Sequence, residues 1–174
     1  MSSPDLTLPT AVSPDALRVV MRSVPSPVTV VTATTGDEVR GMTIGSFTSV
    51  SLEPPLISFN VQRIARMSAV LEGASHFSVH ILGVDQASLS NHFAIPDVDG
   101  IAQFANVLHR VDEHGVPILD DALARLDCVP FAIHPAGDHI LMLGEVTHVV
   151  EPTEGEKPLL YFDRAYRKIG SSLG

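Results

Sequence analysis

Between Gly41 and Pro55 the chain reads Gly-Met-Thr-Ile-Gly-Ser-Phe-Thr-Ser-Val-Ser-Leu-Glu-Pro-Pro, and five hydroxyl residues fall within nine positions: Thr43, Ser46, Thr48, Ser49 and Ser51. Hydroxyls both donate and accept hydrogen bonds, and Gly41 and Gly45 let backbone approach a ligand closely. Such a segment suits a ligand with ring nitrogens and oxygens, chain hydroxyls and a phosphate. It equally suits a Thr- and Ser-rich strand with one solvated face, since Thr favours strands in any context. Downstream lie Arg63 and, in Ala65-Arg66-Met67-Ser68, Arg66. Their guanidinium groups match phosphate bidentately, or they are two solvated surface arginines.

Further chemistry-bearing groups are scattered. Gly137-Asp138-His139 reads as a turn into a strand, with Asp138 as turn former or orienter of His139; a lone His in such a turn is otherwise structural. His92-Phe93-Ala94 falls on a helix, with Phe93 in the core and His92 near a cleft. Tyr161, Tyr166 and Arg167 close the chain, as ligand contacts or as core Tyr with a surface Arg. No nucleophile or acid–base dyad is evident. Among eight histidines, His76 and His80 share a strand face by their spacing, and His134 and His139 flank one turn with Asp138. Neither group has the three or four convergent ligands of a zinc site, so no metal is expected.

The elements that must position these groups follow from pattern. Residues 1–13 read as a mobile tail and 14–174 as one domain. Ser13-Pro14-Asp15 is a helix start, stopped by Pro25 and Pro27. The β-branched run 28–34, a turn at 35–37 and residues 39–43 form a hairpin. Strands are predicted at 46–52, 56–61, 76–82, 124–134, 139–151, 159–162 and 165–169. Short helices are predicted at 67–71, at 84–94 with Asp85 as cap, and near 100–106. Six to eight short-spaced strands with few helices argue for a mainly β fold, a closed or partly closed antiparallel barrel with helical decorations.

Bulk properties exclude other classes. The chain has 174 residues, 45% hydrophobic and 18% charged, the balance of a globular domain. Net charge is −9 and no Lys/Arg run occurs, which disfavours nucleic acid and anionic membrane surfaces. Cys128 is the only cysteine, so neither an intramolecular disulfide nor a Cys-based zinc site can form. The first residues resemble neither secretory signal nor membrane anchor, so a cytoplasmic protein is expected.

From about Ala16 to Lys168 the sequence resembles the flavin reductase-like family. The resemblance is carried by Pro27–Thr32, Gly41-Met42-Thr43 running into Ser46–Ser51, and Pro54-Pro55. Phe93-Ala94, Gly137-Asp138-His139, Gly144-Glu145-Val146, Leu160-Tyr161 and Tyr166-Arg167 follow in the family's order. It implies an FMN-binding split barrel in which Met42, Thr43, Ser46, Phe47, Thr48 and Ser49 line a flavin, with Ser46, Thr48 and Ser51 reaching its ribityl and phosphate region. His139 would position a nicotinamide, with His92, Phe93, Tyr166 and Arg167 as further flavin contacts. Many relatives carry Ser-Arg-Thr where this chain has Ala65-Arg66-Met67, which leaves Arg63 and Arg66 as phosphate cations.

The implied activity is reduction of FMN or FAD by NADH or NADPH, in a homodimer that supplies reduced flavin to a partner monooxygenase. Because the reacting atoms belong to the cofactors, such chemistry needs no protein nucleophile. Other readings are a flavoprotein that holds its flavin tightly and acts on another substrate or carrier, a flavin binder without reductase activity, and a cofactor-free interaction module.

Overall fold

The computed structural model describes residues 12–96 and 98–172. Of the expected tail, all but Val12 and Ser13 lie outside the described residues. Ser13 Oγ accepts the Ala16 N–H at 3.2 Å and Pro14 occupies the first turn, opening helix α1 (Pro14–Met21). Strands β1 (Ser26–Pro27), β2 (Thr29–Thr35), β3 (Glu38–Ile44), β4 (Thr48–Leu52) and β5 (Pro55–Gln62) lead to helix α2 (Arg66–Gly73). Next come β6 (Phe77–Ile81), helices α3 (Ala87–Phe93) and α4 (Gly100–Phe104), and the two-residue strands β7 (Arg110–Val111) and β8 (Pro117–Ile118). The long pair β9 (Ala124–Ala136) and β10 (His139–Val150) and the hairpin β11 (Leu159–Phe162) and β12 (Ala165–Lys168) complete the chain.

Several expectations are corrected. Asp85 does not cap α3: Gln86 holds the cap position, and its side chain instead accepts the Gly83 N–H at 2.8 Å and donates to the Asp121 carbonyl at 2.9 Å. Ser46 and Phe47 precede β4 rather than opening it, and His76 lies outside β6. The strands β1, β7 and β8 are too short to carry a period and exist only through their partners.

Seven strands form one antiparallel sheet in the order β3-β2-β6-β9-β10-β5-β4. Its two edge strands, β3 and β4, are consecutive in the chain and joined only by Gly45-Ser46-Phe47. So short a link forces the sheet to curl until its edges meet, yet the two edges do not pair. The result is a barrel with one open seam, the split barrel expected.

β2 is buried on both faces, which explains its continuous β-branched run. Val31 and Ala33 join a core with Phe59, Phe77, Val79 and Met142, covered by Met67, Val70 and Leu71 of α2. Phe59 and Phe77 meet edge to face at 5.7 Å. Val28 and Val30 point the other way, into a second cluster with Leu82, Phe93, Phe104 and Leu119, which brings α3 and α4 against β3. Burial pushes the Cys128 thiol up to about 12, so the one cysteine is an inert core residue.

Candidate functional site

The open seam decides where a ligand is read. On an edge strand, every second residue turns its N–H and C=O away from the sheet. At Gly41 both groups are taken by one side chain: Gln103 Oε1 accepts the Gly41 N–H at 3.1 Å and Gln103 Nε2 donates to the Gly41 carbonyl at 3.3 Å. The buried Gln103 amide thus stands in for the missing neighbouring strand. Two residues along, the same alternation turns the N–H and C=O of Thr43 to that edge, beyond the reach of Gln103. Thr43 Oγ1 is itself occupied, donating to the Ser90 carbonyl at 2.7 Å. What Thr43 can offer a ligand is therefore its backbone N–H and C=O.

A groove of about 510 Å³ runs along this edge. Met42, Ile44 and Val61 give it an apolar lining, while Phe93, Ala94 and Ile95 close one side. Gly41 permits that closure, since a Cβ there would stand 2.4 Å from Phe93 Cε1. Ser46, in the link between the two edges, ties to β5: its Oγ accepts the Asn60 N–H at 2.9 Å, extending the line of β4 along β5. Arg40, buried at the groove's end, is held by Glu38 at 2.9 Å and by the Val98 carbonyl.

Opposite lies the start of α2. Ala65 occupies its cap and offers no side-chain acceptor, so the first N–H groups of the helix lack a side-chain partner. Arg66, exposed at the rim, has no carboxylate within salt-bridge distance among the described residues. Backbone donors, the helix dipole and a guanidinium converge there, as a phosphate requires. Arg63 does not line the groove.

His139 reaches the groove from the β9–β10 turn. Gly137 adopts φ +65°, which allows the tight reversal, and Asp138 Oδ1 then accepts from His139 Nδ1 at 2.7 Å. That contact holds the Asp138 carboxyl below its usual range and directs the ring so that Nε2 stays available.

Of the residues singled out from sequence, Met42, Thr43, Ser46, Ala65, Arg66, Met67, Phe93 and His139 come together around the groove. Phe47 packs against the main core, and Thr48, Ser49 and Ser51 lie along β4, away from the groove lining. His92 stands behind the wall, with Nε2 2.7 Å from the Gln103 carbonyl oxygen. Tyr166 lines a second, smaller chamber, and exposed Arg167 lines neither. His76 stacks on His114 with ring centroids 3.5 Å apart, and His80 is buried apart from both. No three His, Cys, Asp or Glu converge on a common point among the described residues. Arg40, Asn60 and Gln103 were not anticipated. Gln103 carried a signal: it shares the buried face of α4 with Gly100 and Phe104, a polar residue at a core position.

Residues 21–170 match the family model described as flavin reductase like domain. The chain is 43% identical over 144 residues to the reductase component of 4-hydroxyphenylacetate 3-monooxygenase from Thermus thermophilus, covering 83% of this chain and 89% of that protein. It is 41% identical over 119 residues to an NADH-linked FMN reductase of Agrobacterium fabrum, covering 68% and 66% respectively. The NADH:FAD oxidoreductase of Streptomyces globisporus, solved with NAD and FAD fragments, superposes with a TM-score of 0.84 at 35% identity, covering 95% of this chain and 99% of that one. With its barrel open between β3 and β4 and its sequence matched over almost its whole length, the chain belongs to the flavin reductase-like family.

Proposed function

We propose that this chain oxidises NADH or NADPH and delivers the hydride to FMN or FAD, so that reduced flavin becomes available to a partner monooxygenase. The observation that carries this reading is the free backbone edge at Thr43 facing, across one groove, a helix start that lacks a capping side chain and is flanked by Arg66. A ring system with hydrogen-bonding edges fits the first, and a phosphate fits the second. The family's named members include reductases of both flavins and a monooxygenase component.

A bound flavin supplies N5 as hydride acceptor; the protein supplies placement and dryness. Thr43 offers one donor and one acceptor in line, which fixes ring orientation. Met42, Ile44 and Phe93 keep water from the ring faces, while Arg66 and the first turn of α2 hold the phosphate. His139, oriented by Asp138, presents Nε2 to the nicotinamide carboxamide.

A homodimer accounts for apolar side chains left exposed on β4, β9 and β10, among them Leu52 at 84% and Phe131 at 52%. No described helix is long and apolar enough to cross a membrane, and a reaction fed by reduced nicotinamide belongs in the cytoplasm, where that cofactor is regenerated.

Steady-state oxidation of NADH and NADPH with FMN, FAD and riboflavin tests the reading. Turnover is expected with at least one pair, and no consumption with any flavin would remove it. His139→Ala is expected to lower kcat/KM for the nicotinamide about tenfold, the loss of one good hydrogen bond. Flavin affinity should stay within about twofold. Unaltered kinetics would make His139 a bystander.

A further inference from the structure

Three consecutive residues of β3 hold the chain that follows α3. Gly100 packs against the Val39 carbonyl with no room for a Cβ, and Gln103 clamps Gly41. Between them, Arg40 donates from Nη1 to the Val98 carbonyl and from Nε to Glu38 Oε1 at 2.9 Å. Gly100 and Gln103 belong to α4, whose Phe104 is sunk in the second core cluster. Ile95, Pro96 and Val98 come before it, outside any helix or strand. Pro96 has no N–H, and the Ile95 N–H only reaches back to the His92 carbonyl at 3.4 Å. Among the described residues, the Arg40 guanidinium makes the one hydrogen bond that joins this stretch to the sheet. Burying a charge there is costly. Arg40 stands opposite Ala33 in the ladder, next to the main core, where an apolar side chain would carry no such cost. What the guanidinium adds is a planar fork with two directed donors.

We infer that Arg40 is a positioning residue for the flavin: it pins the groove wall at Ile95 and Pro96 to β3 and so sets how long a flavin stays bound. Both residues line the groove next to Phe93 and Ala94. Phe93 is fixed by the core behind it, whereas Ile95 and Pro96 are exposed and have no such backing, so their place depends on Val98. The action of Arg40 runs through this wall rather than through a contact with the ligand's phosphate. A flavin delivered to a second protein has to leave, which makes the firmness of the wall part of delivery. The inference rests on the flavin reductase reading, and one arm of the test is independent of any ligand.

Stopped-flow displacement gives dissociation rates of FMN, FAD and riboflavin for the natural chain, Arg40→Met and Glu38→Ala, and nitrogen-15 relaxation gives backbone order parameters for the flavin-free chains. Arg40→Met keeps the stem and removes every donor. Order parameters at Ile95 and Val98 are expected to fall from about 0.85 to below about 0.6, while Ala102 to Phe104 keep theirs. All three flavins then leave about tenfold faster, the worth of one charge-assisted hydrogen bond. Glu38→Ala, at an exposed strand position, unfixes the guanidinium without deleting it and gives the same pattern at about two- to threefold, so the test holds even if Arg40→Met fails to fold. Loosening of α4 together with the wall would mark general destabilisation and overturn the proposal. A faster release confined to FMN and FAD would mean that Arg40 touches phosphate itself, and unchanged release of all three would mean that the wall does not govern residence; either result also overturns it. A natural chain that binds no flavin, while Arg40→Met still frees Ile95 and Val98, would sink the reductase reading and leave the hold of Arg40 on the wall standing.

Discussion

Arg66→Ala is expected to weaken binding of FMN and FAD by about 10- to 100-fold while leaving riboflavin within about twofold. A hydrogen bond to a charged group contributes about 1.5–3 kcal/mol, and about 1.4 kcal/mol corresponds to tenfold in affinity. Exposure of Arg66 at the rim places the effect toward the lower end at physiological salt, where ions screen it. The residual affinity would come from the start of α2, which keeps its N–H donors and dipole in the variant. Fluorescence titration at low and high salt reads both effects. An equal loss for riboflavin, which carries no phosphate, would move Arg66 from the phosphate to the ring, and no loss would make it a surface arginine.

His80 gives the second large effect, on stability rather than binding. Its ring is buried in β6, with Nδ1–H donating to the Val30 carbonyl and Nε2 accepting the Leu119 N–H, each at 3.1 Å. Both nitrogens are used in the neutral form, so a second proton would displace the Leu119 contact. Desolvation pushes its pKa down from 6.5 to about 4, against an opposing pull from the Val30 hydrogen bond. Between those values the unfolded chain binds the proton and the folded chain does not. The contribution is therefore complete above pH 6.5 and falls away as pH drops toward 4. At about 1.4 kcal/mol per pH unit, the total is roughly 3 kcal/mol. Urea unfolding at pH 7.5, 6, 5 and 4.5 should show that loss in the natural chain. His80→Leu lacks this part of the pH slope. It is also less stable at neutral pH by about 1–3 kcal/mol, from the orphaned Leu119 N–H. Parallel pH profiles for the two chains would refute the assignment.

Local pattern carried most of the fold. The β-branched run of β2, the Ser13-Pro14 start of α1 and the turn at Gly137-Asp138 all state their structure within a few residues, and each element lies close to its predicted place. The hydroxyl segment was legible only in part. Thr43 and Ser46 border the groove, whereas Thr48, Ser49 and Ser51 belong to β4, the opposite edge of the curled sheet, so proximity in sequence did not mean proximity at the site. The clamp on Gly41 reaches across 62 residues from Gln103, and no local period announces such a partnership. Asp85 shows the reverse case: a good cap residue went unused because helix α3 starts at Ala87.

The open seam also bears on how this chain avoids its own kind. Unsatisfied strand edges invite a foreign strand to add on, the first step of many aggregates. Here Gln103 plugs one rung of the ladder and α4 covers its neighbourhood, so an intruding peptide would have to evict a buried amide before it could zip along β3. On β3, past the Gln103 clamp, the rung at Thr43 is too short for another chain to grip, yet long enough for one flat heterocycle. Selectivity for small molecules over polypeptides is thus written into the length of the gap.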